Sequence, residues 1–289
     1  MAIKTVGVIG CGLMGHGIAQ VSAQAGYDVV VREADAGALE KGMGRIERSL
    51  GKLVEKEKLS KADAEAARGR IRGTQDLDDI DDGDLVIEAV VENIDIKKSL
   101  FAELSAICKD SVIFASNTSS FPIAEMAEPS GHPDRFVGLH FFNPVQLMKL
   151  VEVVRTDWTS PDVFAEARAF TESLGKVPIS CKDTPGFVVN RLLVPYMCDA
   201  IKMVERGDAT PEDVDTGMTL GTGYPMGPFT LLDYVGLDTT LSIVKGWHAR
   251  FPHDPTFEVP RLLEDKVSEG KLGRKTGEGF YKWEGDKRV

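Results

Sequence analysis

His140 closes an apolar run, Arg135 to Leu139, and opens the segment His140-Phe141-Phe142-Asn143-Pro144-Val145. Twelve residues on, Glu152 interrupts a second apolar run, Leu150-Val151-Glu152-Val153-Val154. A carboxylate flanked by Leu and Val is expensive to bury unless a partner offsets its desolvation. Two neighbouring strands joined by a short loop can bring the imidazole of His140 to it. A histidine held by a carboxylate can shuttle protons. The same pair can equally be a structural contact, and these residues alone leave both readings open.

Three further polar features could share that site. Ser116-Asn117-Thr118-Ser119-Ser120 follows a buried run directly, at the carboxyl end of a strand, where open α/β sheets bind ligands. It also reads as a helix N-cap segment ahead of Pro122. Asn143 lies inside the histidine segment, where Asn-Pro is also a turn signal. Asn190 is an amide among Phe187, Val188, Val189, Leu192 and Leu193, which suits either a site or a helix–helix hydrogen bond.

The amino-terminal end supplies a second chemistry. Ile3 to Ile9 is apolar, Gly10-Cys11-Gly12-Leu13-Met14-Gly15 follows at once, and a helical pattern (Ile18, Val21, Ser22, Ala25) ends at Gly26. This is G-x-G-x-x-G in the setting of strand, tight turn and helix start that a dinucleotide pyrophosphate requires. Gly10 permits the turn, Gly12 clears the approach, and Gly15 lets helix and strand pack closely. The helix start offers free N–H groups and a positive dipole end. Glu33 ends the second strand and suits the adenosine ribose hydroxyls, favouring NAD over NADP. The neighbouring Arg32 could instead pair with a 2′-phosphate.

The elements that must position these residues follow from pattern. The 289 residues suffice for two domains, and 43% hydrophobic with 27% charged residues is an ordinary globular composition. A net charge of -11 argues against nucleic acid as a partner. Four scattered cysteines (Cys11, Cys108, Cys181, Cys198) suggest neither a disulfide frame nor a metal site, and fit a reducing cytoplasm. A strand beginning at residue 3 leaves no room for a targeting peptide, and no apolar stretch of about twenty residues calls for a membrane span. Strands and helices alternate up to Cys181, with a charged helical arm near residues 36–70. Beyond Asp183-Thr184-Pro185-Gly186-Phe187 the pattern is helical. The expectation is an α/β Rossmann-type N-terminal domain with a mostly parallel sheet over residues 1–183, then an all-helical C-terminal domain over 184–289.

Taken together, these motifs resemble the 3-hydroxyacyl-CoA dehydrogenases of the short-chain type, including bacterial 3-hydroxybutyryl-CoA dehydrogenases. The resemblance runs from Gly7 to about Trp283. Besides the glycine turn, the serine loop, the histidine segment and Asp183 to Phe187, it includes Glu88-Ala89-Val90-Val91-Glu92 and Gly273-Arg274-Lys275-Thr276-Gly277 ahead of Gly279 to Trp283. It implies an NAD-dependent oxidoreductase interconverting a 3-hydroxyacyl-CoA and a 3-ketoacyl-CoA. His140 would be the general base and Glu152 its electrostatic partner. Ser119 and Asn190 would orient the reacting oxygen, with Asn143 in support. Glu92 and Lys97 fall at cofactor-side positions, and Ser49 and Lys56 where the helical arm meets coenzyme A. Glu33 replaces the aspartate of many members, keeping the charge on a longer arm. A homodimer is implied too, and the apolar residues Phe229, Leu231, Leu232, Tyr234 and Leu241 suggest it independently by exceeding what a small bundle needs.

Local basic groups must receive an anionic coenzyme A thioester on an acidic protein, and Lys41, Arg45, Arg48, Lys52, Lys56 and Lys58 on the arm can do so or form a solvated face. Two rival readings are a dehydrogenase of a free hydroxy acid or sugar acid, which needs no such arm, and a non-enzymatic NAD-binding protein.

Overall fold

The computed structural model describes residues 3–289. The chain divides into two compact units between Phe187 and Val188. The first contains β1 (Thr5–Ile9), α1 (Gly15–Gln24), β2 (Asp28–Arg32), α2 (Ala36–Glu55), α3 (Lys61–Gly69), β3 (Ile71–Thr74) and β4 (Leu85–Glu88). It continues with α4 (Ile94–Ile107), β5 (Ile113–Ser116), α5 (Ala124–Ala127), β6 (Phe136–Phe141), β7 (Leu150–Arg155), α6 (Pro161–Ser173) and β8 (Val177–Lys182).

These strands form one sheet in the order β3-β2-β1-β4-β5-β6-β7-β8. Every neighbouring pair is parallel except β6 and β7, so β7 and β8 run against the other six. Both faces are covered, which explains why the strands read as continuous apolar runs rather than alternating ones. Val8, Leu85, Ile87 and Ala115 pack into one layer with α1, the α2–α3 arm and α6, while Ile9, Val86 and Phe114 pack into another with α4 and α5. The chain adds β2 and β3 on one side of β1 and then returns to add β4 and β5 on the other, leaving a crevice between β1 and β4 at the carboxyl edge. β3 has no counterpart in the sequence reading. It is a short edge strand, Ile-Arg-Gly-Thr, with only Ile71 buried, and such strands carry little hydrophobic signal.

The arm is held by its own sequence. Asp35 caps α2 by accepting from the Ala38 N–H at 2.7 Å, and Ser60 caps α3 from Asp63 at 3.0 Å. Ile46 and Leu50 on α2, with Ala64 and Ala67 on α3, supply the buried stripe.

The second unit comprises α7 (Val189–Glu205), α8 (Pro211–Thr222), α9 (Pro228–Val235), α10 (Leu237–Arg250) and α11 (Arg261–Ser268). A small ladder of β9 (Trp283–Glu284) and β10 (Lys287–Arg288) follows, and Glu278 makes isolated bridges to Gly273 and Lys282, so this unit is α-helical only as far as α11. Phe229, Leu232 and Leu241, expected to be surplus to the bundle, are buried in its core. Of the residues expected to be surplus, Tyr234 is exposed, as are Leu192, Met203, Leu220, Tyr224, Val235 and Val289. Among the described residues, no helix is long and apolar enough to cross a membrane.

Candidate active site

His140 and Glu152 face each other directly across the antiparallel β6–β7 ladder. Directly opposed residues share one face of a sheet, so the register itself brings the side chains together. His140 Nδ1 lies 2.6 Å from Glu152 Oε2, with His140 6% exposed and Glu152 fully buried. The sequence reading ended this strand at Leu139. β6 continues to Phe141, whose N–H donates to Asn117 Oδ1 at 2.9 Å, so His140 sits within the ladder rather than beyond it. The rings of Phe142 and Phe187 stand 4.6 and 5.7 Å from the imidazole and wall it from solvent. An ionised carboxylate only accepts, so Nδ1 carries the hydrogen and Nε2 is the atom left to receive a proton.

At the glycine turn, Gly10 has φ +96°, and a Cβ there would meet the Ala89 carbonyl oxygen at 2.7 Å. A Cβ on Gly15 would overlap the Gly10 oxygen at 1.8 Å, whereas one on Gly12 meets no protein atom within 4 Å. Two of the glycines are thus demanded by the protein's own packing, and the third clears space outside it. α1 begins at Met14 and Gly15 without a side-chain cap, so its first N–H groups have no side-chain acceptor. Leu13 is exposed beside them. Glu33 borders the turn, accepting from the Cys11 N–H through one oxygen and the Ala34 N–H through the other, each at 2.9 Å. Arg32 is turned to the Gln75 carbonyl at 3.3 Å. The open cradle, the uncapped helix start and the adjacent carboxylate fit a dinucleotide whose adenosine ribose is unphosphorylated.

Glu92, Lys97 and Ser119 come together between these two places. Lys97 Nζ is 3.0 Å from Glu92 Oε2, and Glu92 Oε1 accepts from the Ser119 N–H at 3.3 Å. Lys97 is only 1% exposed and also contacts Glu88, so its ammonium is enclosed by carboxylates rather than held out to phosphate. Ser119 is half-buried, its hydroxyl 3.3 Å from that of Ser120. Asn143 is exposed, and its peptide bond to Pro144 is cis. Ser49 is half-buried on α2 and Lys56, its C-terminal cap, is exposed two turns later. Asn190 is the second residue of α7, in the second unit.

Lys176 and Gln146 are not singled out by the sequence, and Glu88, Ser116 and Thr118, which lie within the motifs named above, carry no individual role there. These three are buried polar side chains at the base of the serine loop. Glu88 follows Leu85-Val86-Ile87, the same acid-after-apolar signal that marked Glu152. Lys176 is buried and donates to the Val145 and Met148 carbonyls (2.8 Å to the latter), clasping the loop of residues 142–149. Gln146 ties that loop to Gln20 of α1 at 3.1 Å. Burial lowers the Lys176 ammonium below its ordinary value.

A doubly wound nucleotide-binding unit with a buried His–Glu pair at its carboxyl edge, followed by a helical unit, defines a class of dehydrogenase. Residues 5–184 match the NAD-binding domain of 3-hydroxyacyl-CoA dehydrogenase and residues 186–283 its C-terminal domain. The chain is 50% identical to the mitochondrial hydroxyacyl-coenzyme A dehydrogenase of Rattus norvegicus, over 97% of this chain and 91% of that one. It is 52% identical to a probable 3-hydroxybutyryl-CoA dehydrogenase of Deinococcus radiodurans, over 96% and 99% respectively. Among solved structures, the (S)-3-hydroxybutyryl-CoA dehydrogenase of Ralstonia eutropha superposes with a TM-score of 0.95 at 43% identity, covering 98% of this chain and all of that one. The chain belongs to the 3-hydroxyacyl-CoA dehydrogenase family.

Proposed function

We propose that the protein interconverts 3-hydroxyacyl-CoA and 3-ketoacyl-CoA, with 3-hydroxybutyryl-CoA and acetoacetyl-CoA as the preferred pair, using NAD(H). The observation that carries this reading is the buried 2.6 Å contact between His140 and Glu152 beside an NAD-type turn, in a chain of this family. In the oxidative direction His140 Nε2 removes the proton of the C3 hydroxyl. Glu152 keeps the hydrogen on Nδ1, fixes the ring and stabilises the imidazolium that forms. NAD, when bound, supplies the acceptor for the hydride that leaves C3. In the reductive direction the imidazolium returns its proton to the forming alkoxide. General acid–base help of this kind contributes roughly 100- to 10,000-fold.

Ser119 and Asn190 are assigned to the C3 oxygen, with Asn143 in support. Glu92 is assigned to the cofactor side with Lys97 behind it, and the glycine turn and Glu33 to the pyrophosphate and adenosine ribose. Ser49 and Lys56, on one stripe of the arm, are assigned to the coenzyme A moiety. The exposed Leu192, Leu220, Tyr224 and Val235 support a homodimer formed through the helical unit, which sedimentation tests directly. All four cysteines are free thiols, which supports a cytoplasmic setting.

The test is reduction of acetoacetyl-CoA and of free acetoacetate, each with NADH and with NADPH. Efficient turnover only of the thioester, and mainly with NADH, is expected. Comparable turnover of free acetoacetate would sink the substrate assignment.

A further inference from the structure

Glu88 is the last residue of β4, level with Ile9 of β1 and Ser116 of β5, and is fully buried. A carboxylate there needs compensation, and it receives a full set of donors. Lys97 Nζ lies 2.8 and 2.9 Å from its two oxygens, the Ser116 hydroxyl donates at 2.5 Å and the Val90 N–H at 2.7 Å. These contacts continue into a closed ring. Ser116 Oγ accepts from the Thr118 N–H at 3.2 Å, the Thr118 hydroxyl donates to Glu92 Oε1, Glu92 Oε2 meets Lys97, and Lys97 returns to Glu88. Two stretches of chain, residues 88–97 and 116–118, are locked together by this one circuit.

The charges in the ring are unequal. Two carboxylates share a single ammonium, and one acid is fully enclosed while the side chain of the other, Glu92, is 39% exposed. If Glu88 were neutral, Lys97 would be matched by Glu92 alone, and the exposed acid would be spent internally. With Glu88 present, the ammonium is already matched inside, and negative charge remains at the surface where hydroxyl donors can reach it.

We propose that Glu88 is a positioning residue that acts through Lys97 and Ser116: it matches the Lys97 ammonium internally, leaving the negative charge of Glu92 uncompensated toward the cofactor, and holds the Ser116–Ser120 turn in register with it. The inference rests on the assignment of Glu92 to the cofactor side.

The experiment measures NADH binding by fluorescence, alongside steady-state constants, for Glu88→Gln, Glu88→Asp and the double variant Glu88→Gln/Lys97→Met. Glu88→Gln keeps the shape and removes one charge, so NADH binding should weaken about tenfold or more, with kcat at saturating NADH changed far less. Glu88→Asp, which keeps the charge, should recover part of that loss. The double variant removes the cation together with its internal partner and returns the charge of Glu92 to the surface. It should therefore bind NADH more tightly than Glu88→Gln, although it lacks two ring members. A purely structural role demands the reverse order, and that order would overturn the proposal, as would wild-type NADH affinity in Glu88→Gln. Should the single variant not fold, the charge-balanced double variant decides: NADH affinity within about tenfold of wild type upholds the proposal, and a greater loss overturns it. Failure of the wild-type protein itself to bind NADH or reduce acetoacetyl-CoA would instead remove the underlying functional assignment.

Discussion

Both units bury acids, but they satisfy them differently. In the first, Glu152 meets the imidazole of His140 and Glu88 meets the ammonium of Lys97. In the second, Asp215 accepts from the N–H groups of Phe229 and Thr230 at 2.8 and 3.0 Å, the Thr230 hydroxyl at 2.6 Å and the Tyr281 hydroxyl at 3.0 Å. Asp233 accepts from the N–H groups of Phe280 and Tyr281 at 2.8 and 2.9 Å and from the Trp283 indole at 2.8 Å. Burial pushes Asp233 above the ordinary carboxylate range, and these donors pull it back only in part. Asp215 thereby anchors the start of α9, and Asp233 staples the carboxy-terminal segment onto the bundle. A buried acid paired with a base can trade charge or protons with a ligand, whereas a buried one held only by hydrogen-bond donors of the fold is committed to it. The partner, more than the burial, separates a chemical site from a structural one.

That distinction can be broken by substitution. The largest effect is expected at His140→Gln, where turnover should fall at least about a hundredfold with NADH affinity nearly intact. Stopped-flow reduction and fluorescence titration check the two halves of that statement. Glu152→Gln removes the charge but leaves a hydrogen-bond partner, so a loss of about tenfold to a hundredfold in kcat is expected, with an altered pH–rate profile. An unchanged profile would mean that the pair is structural after all.

Lys176 sharpens the comparison, because it is a buried base of the first unit that is fed by backbone carbonyls. It should therefore behave as a fold residue. Lys176→Met should change turnover by no more than about fivefold and reduce stability by about 1–3 kcal/mol, the penalty for stranding buried acceptors. Its pH dependence has a definite sign. Burial lowers the folded-state value below the unfolded 10.5, so the folded protein releases this proton first as pH rises. Stability contributed by Lys176 therefore increases toward pH 10.5, and the gap between wild type and Lys176→Met in urea melts should widen over that window. The smallest effect on catalysis is expected at Asp233→Asn, whose kcat should match wild type while stability falls by about 1–3 kcal/mol. A clear loss of kcat there, at full folding, would dissolve the contrast between the units.

How much of this could be read from the chain depended on where each residue falls within its element. Glu152 was conspicuous because apolar residues flank it on both sides. Glu88 is flanked the same way, by Leu85-Val86-Ile87 and Ala89-Val90-Val91, yet nothing in its own strand points to a partner. Its partners come from α4 and from the neighbouring strand β5, and that adjacency is a property of the sheet order. The glycine turn was legible because its demands show locally, in the positive φ of Gly10 and in the close approach of Gly15 to the Gly10 carbonyl. Asp215 and Asp233 were invisible for the opposite reason: they sit in helices, with donors 66 and 50 residues away at Tyr281 and Trp283. Of the apolar residues that suggest a dimer, Tyr234 is exposed while Phe229, Leu232 and Leu241 are buried, because apolar content does not distinguish a helix's buried face from its exposed one.

The reversal of direction at β7 separates two quantities that most active sites couple. The distance between base and acid is set by the rungs of the β6–β7 ladder, and the loop that joins the strands does not enter into it. Residues 142–149 can therefore lengthen or shorten over the course of divergence, at about 0.6 kcal/mol per doubling of length, while the proton-handling pair stays in register. What the loop touches is free to drift, and the acid–base couple travels with the sheet.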